Sequence, residues 1–96
     1  MLLKTAQAGT LESSDCLVVV SPADSHSLEY SGQNAAIFKR RTERIVAEIA
    51  KRCAPQGAAV QVQDRGALEA TLRARVETAF ERASKQEQQM SMRGGQ

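Results

Sequence analysis

Two adjacent serines, Ser13 and Ser14, are the residues of this chain whose type and setting most clearly offer chemistry. They lie between Glu12 and Asp15, directly before an apolar run at residues 16–20. Serine, aspartate and glycine gather in turns for local hydrogen-bonding reasons, so composition alone favours an ordinary polar turn. A turn that precedes a strand displays its hydroxyl groups to solvent. The pattern therefore predicts an exposed serine turn and, by itself, no more.

The titratable residues do not indicate an independent enzyme. His26 is the one histidine, and a hydrolytic triad needs a base placed beside its nucleophile. Glu12 and Asp15 flank the serine turn, where we expect both carboxylates to be solvated rather than to work as an acid–base pair. A glycine-rich phosphate loop with a lysine is not present. We predict that the chain is not catalytic alone.

The cysteines and the hydropathy pattern indicate a cytoplasmic location. Cys16 and Cys53 do not have the spacing of a metal site. Free thiols in a reducing compartment explain them, although the sequence leaves a disulfide open. The first residues lack the apolar length of a signal peptide, and no window approaches a membrane span. We therefore predict a cytoplasmic chain with no membrane partner.

Length and charge indicate one small domain and argue against a nucleic-acid partner. The 96 residues include 13 basic and 11 acidic side chains, which gives a net charge of +2, and aromatic residues make up 3%. A nucleic-acid surface normally needs a dominant basic field and several exposed rings. The basic residues within 39–44 are interpreted as a solvated helix face. The alternative is a small nucleic-acid- or protein-binding module.

Three stretches have the pattern of strands, because they are β-branched and apolar or alternate between apolar and polar residues. They are residues 17–20, which end before Ser21 and Pro22, residues 27–31, and residues 58–64. Residues 10–12 are expected to pair back on residues 17–20 as a short strand, with residues 13–15 as the turn. Residues 1–8 have no strong pattern and are interpreted as flexible or as a short lead-in.

Two stretches have the period of amphipathic helices, residues 34–53 and residues 67–83. Residues 84–96 lack periodicity and are predicted to form a disordered tail after a single domain at residues 1–83. The fold class is therefore α+β. We expect a two-layer sandwich in β-β-α-β-α order, with a small mainly antiparallel sheet and both helices on one face.

Three stretches, in order, resemble the citrate lyase acyl carrier protein (gamma subunit) family. Residues 8–15 read AGTLESSD before a strand, residues 60–68 read VQVQDRGAL, and residues 72–76 read LRARV, with Arg82 and Ala83 later on the same helix. Together they are more specific than any one alone. The carrier subunit of malonate decarboxylase resembles the same layout and is the nearest alternative.

The resemblance implies that a serine carries a phosphoribosyl dephospho-coenzyme A arm through a phosphodiester. The family's attachment serine directly follows glutamate, which corresponds to Ser13, and Ser14 is the second choice. The arm's thiol would carry acetyl and citryl groups between the alpha (transferase) and beta (lyase) subunits of citrate lyase, as citrate is cleaved to oxaloacetate and acetate. A prosthetic-group transferase and an acetate ligase are the other implied partners. Arg73, Arg75 or the basic residues at 39–41 are candidates to meet the arm's phosphates or an acidic surface of a partner.

Overall fold

Two central strands build the core of the sheet, and both lie where the sequence predicts strands. The computed structural model describes residues 2–32 and 35–85. Strand β2 is Cys16–Pro22, and strand β4, the fourth in chain order, is Ala58–Asp64. They pair antiparallel with Val18 opposite Val62 and Val20 opposite Val60. Because side chains alternate along a strand, all four valines lie on one face, where they are buried.

The two outer strands complete a four-stranded sheet in the order β1-β2-β4-β3. Strand β1 is Ala6–Gly9 and pairs antiparallel with β2, whereas β3 is Ser27–Gly32 and pairs parallel with β4. A parallel neighbour needs a long crossover, and helix α1, Ala35–Cys53, supplies it. The mainly antiparallel sheet is confirmed, with this one parallel pair as an addition.

The first strand lies at Ala6–Gly9, so the expectation that residues 10–12 would pair with β2 was wrong in register. Alanine and glycine have low strand propensity, which left this strand without a signal in the sequence. The expectation that residues 1–8 are flexible or a short lead-in is also wrong for the described residues, because β1 begins at Ala6. Leu2 is buried, and the Leu3 N–H donates to the Ala83 carbonyl at 2.8 Å.

Both helices pack on the same face of the sheet, which confirms the two-layer α+β fold. Helix α1 contacts β3 and β4, and helix α2, Glu69–Ala83, contacts β1 and β2. Their buried stripes meet the valines of the sheet, and the fully buried large members are Ile45, Ile49, Leu72, Val76 and Phe80. No described helix is long and apolar enough to cross a membrane.

The element boundaries agree with the sequence to within two residues, apart from β1. Helix α2 begins at Glu69 rather than at residue 67. The predicted start of α1 at residue 34 and most of the predicted tail, from residue 86 onward, lie outside the described residues.

Candidate functional site

The loop at residues 10–15, called the serine loop below, joins β1 to β2 and carries both candidate serines. Ser13 and Ser14 are exposed, and so is Glu12 before them. The Ser13 hydroxyl has no hydrogen-bond partner among residues 2–32 and 35–85. The serine turn is therefore exposed, as the sequence predicts.

Thr10 and Asp15 close the serine loop from its two ends. The Thr10 hydroxyl donates to Asp15 Oδ2 at 2.7 Å and accepts from the Glu12 N–H at 3.1 Å. The Asp15 N–H donates to the Glu12 carbonyl at 3.1 Å. The Glu12 N–H is thus satisfied by a local side chain and the Asp15 N–H by a local carbonyl, and such local bonds compete with strand pairing. Thr10 and Glu12 are therefore part of the loop and not of a strand.

Asp15 is held by Arg75 of α2, although the two residues are 60 positions apart in the chain. Arg75 Nε and Nη2 donate to Oδ1 and Oδ2 at 3.0 and 3.1 Å, and the Cys16 N–H donates to Oδ1 at 2.7 Å. The Arg75 hydrogen bond, followed by those of the Thr10 hydroxyl and the Cys16 N–H, holds the pKa of Asp15 well below its usual range. The Asp15 side chain is 14% exposed. The expectation that it would be solvated was wrong.

The candidate arginines of α2 are both engaged within the fold. Arg75 pairs with Asp15, and this pairing raises the pKa of the Arg75 guanidinium. Arg73 pairs with Glu48 of α1 at 3.3 Å. These contacts position the serine loop and join the two helices.

A second turn, at residues 64–67 between β4 and α2, lies against the serine loop; we call it the Asp64 turn. The Ser14 N–H donates to the Arg65 carbonyl, and the Arg65 N–H donates to the Asp15 carbonyl, both at 2.8 Å. Ser14 has a φ angle of 69° and Gly66 one of 98°. Serine rarely adopts this left-handed conformation, which glycine adopts readily. The two backbone bonds fix Ser14, and Ser13 is the residue before it.

The carboxylate of Asp64 holds the Asp64 turn from inside, with the residue only 4% exposed. Its Oδ1 accepts from the N–H groups of Gly66 at 3.0 Å and Ala67 at 2.8 Å. Its Oδ2 accepts from the Tyr30 hydroxyl at 2.6 Å and from Arg41 Nη2 at 3.5 Å. Burial, and then the hydrogen bond to Asp64, raises the pKa of Tyr30. Sequence reasoning missed this network, for which the one signal was the DRGA segment.

His26 and the two cysteines are the remaining candidates from the sequence, and their surroundings in the fold are those of structural residues. His26 Nε2 lies 2.9 Å from the Ala54 carbonyl, which can only accept, so this nitrogen carries the proton. Cys16 is buried and Cys53 is half-buried, and the two do not form a disulfide with each other. Burial raises the pKa of Cys16 to about 11, which keeps it protonated at neutral pH. Among the described residues, no cluster of histidine, cysteine and acidic side chains could hold a metal ion.

Comparison with known proteins places these features in a family. A family model described as "ACP: Malonate decarboxylase delta subunit (MdcD)" matches residues 3–83. A citrate lyase acyl carrier protein from Haemophilus influenzae (strain PittEE) is 43% identical over 83 residues, which cover 86% of this chain and 87% of that one. One from Escherichia fergusonii is 40% identical over 87 residues, covering 88% and 90%. One from Streptococcus uberis is 37% identical over 84 residues, covering 86% and 83%.

A solved structure has the same fold. A chain in the crystal structure of a Pseudomonas malonate decarboxylase hetero-tetramer in complex with malonate matches with a TM-score of 0.64. The match covers 84% of each chain at 21% sequence identity.

Proposed function

Because this chain belongs to the citrate lyase acyl carrier protein family, we propose that it is the acyl carrier subunit of citrate lyase, with a phosphoribosyl dephospho-coenzyme A arm on Ser13. The observation that carries the proposal is the exposed Ser13 hydroxyl on a loop whose backbone is held on both sides. The arm supplies a thiol that carries acyl groups as thioesters.

The residues around Ser13 fit such an attachment. A transferase must bring its own substrate to the serine oxygen, and Glu12, Ser13 and Ser14 form an exposed stretch without a wall around it. Asp15 and the Asp64 turn hold the backbone, so the loop loses little conformational freedom when it is recognised. No catalytic base is required from the carrier, since the modifying enzyme can supply one.

Ser13 is favoured over Ser14 because the two serines have different backbone roles. Ser14 turns the chain in the left-handed region, and its N–H binds Arg65. A residue whose conformation is favoured by glycine is suited to form the corner of the loop. Ser13 follows Glu12 and leaves its hydroxyl free for modification.

In citrate cleavage, the role of the carrier is to bring the acyl group to both active sites and to keep its local concentration there high. A small domain that docks in turn on a transferase subunit and a lyase subunit brings one tethered thiol to two active sites. Tethering makes each encounter intramolecular, which raises the effective concentration of the acyl group without new contacts. The prosthetic-group transferase and the acetate ligase act on the same loop and its arm.

The test is the intact mass of the chain co-expressed with the prosthetic-group transferase. We expect the wild type and Ser14→Gly to gain the mass of the arm and Ser13→Ala to gain none. Ser14→Gly is the matched control, because glycine adopts the Ser14 backbone conformation without strain. Modification of Ser13→Ala, or an unmodified wild type, would contradict the proposal.

A second candidate is the carrier subunit of malonate decarboxylase. The family model and the fold of the Pseudomonas chain favour it, although that chain is only 21% identical. Reconstitution of the modified chain separately with citrate lyase subunits and with malonate decarboxylase subunits distinguishes the two. We expect cleavage of citrate in the first mixture and no decarboxylation of malonate in the second.

The basic helix face gives little support to a nucleic-acid-binding module. Within residues 39–44, Arg41 pairs with Asp64 at 3.5 Å and Arg44 pairs with Glu69 at 3.6 Å. Lys39 and Arg40 are left exposed on the face. Binding that depends on phosphate contacts falls steeply with salt, so titration with RNA at two salt concentrations checks this alternative.

A further inference from the structure

A pocket of about 320 Å³ lies directly beside the serine loop, between the first turns of α1 and the start of α2. Gly66 forms part of its wall, and a Cβ atom on Gly66 would lie 3.8 Å from the Ser14 Cα. Since neighbouring Cα atoms are about 3.8 Å apart, the Cα of Ser13 lies within about 9 Å of this wall. A group attached to Ser13 therefore reaches the pocket after a short linker.

The chemistry of the pocket suits a flat, neutral, nitrogen-rich ring. Phe38 and Leu68 give it apolar walls, and Leu68 is 74% exposed although it is a large hydrophobic residue. The Arg41 guanidinium lies over the Phe38 ring at 4.5 Å from its centroid. Planar groups stack favourably on aromatic rings and on guanidinium planes. A purine base would cover the exposed Leu68 and extend the same stack.

Arg41 has hydrogen-bonding capacity that the fold uses only weakly. Its Nη2 contacts with Asp64 Oδ2 and the Ala67 carbonyl are both 3.5 Å long, at the limit of a hydrogen bond. Its Nε is buried with no partner among the described residues and does not face the open pocket, so a bound ring would meet the Nη end of the guanidinium. Asp64 and Glu69 also line the pocket, so it is not an anion site. A neutral ring with acceptor nitrogens matches this mixture better than a phosphate does.

Arg65 supplies the positive charge on the serine-loop side of the pocket. Its backbone binds Ser14 and Asp15 at 2.8 Å, which places its Cα beside the attachment loop. The Arg65 side chain is exposed and has no acidic partner within residues 2–32 and 35–85. A phosphodiester on Ser13 would give Arg65 an anionic partner close to it in the fold.

We propose that the arm is seated on the carrier itself: its adenosine lies in the pocket formed by Phe38, Arg41 and Leu68, and its phosphodiester lies against Arg65. This rests on the proposed function, in which Ser13 carries the arm. The thiol is at the opposite end of the arm from the adenosine, so it stays free to reach other subunits. Seating shortens the mobile part of the arm and shields the exposed Leu68.

Nuclear magnetic resonance of the modified and unmodified chains tests whether the arm is bound in this way; we call this bound arrangement the seat. We expect the Leu68 methyl and Phe38 ring resonances to shift when the arm is attached, whereas the methyl groups of Leu3, which is 50% exposed and distant in the fold, do not. The phosphorus resonance of the phosphodiester should shift in Arg65→Gln and not in Arg40→Gln, a matched removal of an exposed arginine. Shifts confined to residues 10–16 would overturn the proposal, as would equal effects of the two arginine variants.

A second measurement uses cleavage of the arm by a nucleotide pyrophosphatase, followed by intact mass. A seat occupied about 90% of the time would slow cleavage roughly tenfold relative to a free arm. We expect Leu68→Ala to lose most of this protection and Leu3→Ala to keep it. Equal cleavage rates in the wild type and Leu68→Ala would overturn the seat while leaving the carrier function intact. A chain that never acquires the arm would overturn the carrier function, and the seat with it.

Discussion

Replacing Asp64 with asparagine is the sharpest test of how the serine loop is supported. The substitution keeps the size and shape of the side chain but leaves one acceptor oxygen where the carboxylate has two. That single oxygen can still bind the N–H groups of Gly66 and Ala67, which lie at 3.0 and 2.8 Å from Oδ1. The new NH2 group then faces the Tyr30 hydroxyl and the Arg41 guanidinium.

The structure sets the size of the expected loss. The Tyr30 bond to Oδ2 is short, at 2.6 Å, and a hydrogen bond to a charged group contributes about 1.5–3 kcal/mol. The Arg41 contact, at 3.5 Å, is too long to add much. We expect the free energy of unfolding of Asp64→Asn to fall by about 2–3 kcal/mol. For a domain of this size, that lowers Tm by roughly 10–20 °C.

Thermal and urea unfolding provide the assay, with Asp24→Asn as the control because Asp24 is exposed. A double-mutant cycle with Tyr30→Phe should give a coupling energy of at least about 1 kcal/mol, since the two groups are in direct contact. Modification of Ser13 should also slow, because the Asp64 turn holds Ser14. Stability within about 0.5 kcal/mol of the Asp24→Asn control would refute this account of the turn.

Three further predictions concern strand β1, the two cysteine thiols and the loss of folding stability at acidic pH. Gly9→Ala should lower the free energy of unfolding, measured by urea denaturation, by at least about 2 kcal/mol. The φ angle of Gly9 is 95°, and the added Cβ would lie 1.9 Å from the Cys16 carbonyl oxygen. Unchanged stability would contradict this close approach of the two strands. At pH 8, iodoacetamide should alkylate Cys53 and spare Cys16 until the chain is unfolded, because burial raises the pKa of Cys16 to about 11; peptide mass mapping shows which thiol reacts. Since the folded-state pKa of Asp15 is lowered, its pairing with Arg75 stabilises the fold above about pH 4 and this contribution is lost as pH falls further. Asp15→Asn should therefore be less stable than the wild type at pH 7, with a difference that shrinks below pH 4 in urea titrations; a constant difference would show that the charge is not responsible.

The sequence was informative where one face of an element is buried and the other is wet. The alternation in residues 58–64 and the stripe containing Ile45 and Ile49 predicted β4 and α1, because burial on one side imposes the period. Residues 6–9 were missed for the converse reason. Alanine and glycine pair there by backbone alone, and buried Ala8 leaves too small an apolar signal to detect.

The candidate site was predicted only in part. The exposure of the serine loop follows from its own sequence, whereas the residues that hold the loop are distant in the chain. Ser13 as the attachment residue came from the family resemblance and stays a prediction. The partner of Asp15 is 60 residues away, and nothing in the sequence around either residue specifies which arginine of α2 faces the loop. Asp64 was similarly visible as part of a turn, while its bonds to Tyr30 and Arg41 depend on how β3 and α1 are packed.

Under the proposed attachment at Ser13, the ion pair between Asp15 and Arg75 also affects when the arm can be attached. During synthesis the serine loop leaves the ribosome early, but its arginine belongs to α2, the final helix of the described fold. Contacts between distant segments form late, since the closure of a long loop must come first. A chain stopped before α2 would display Ser13 on a loop that Arg75 does not yet hold. Attachment of the arm would thus report that the domain has been completed.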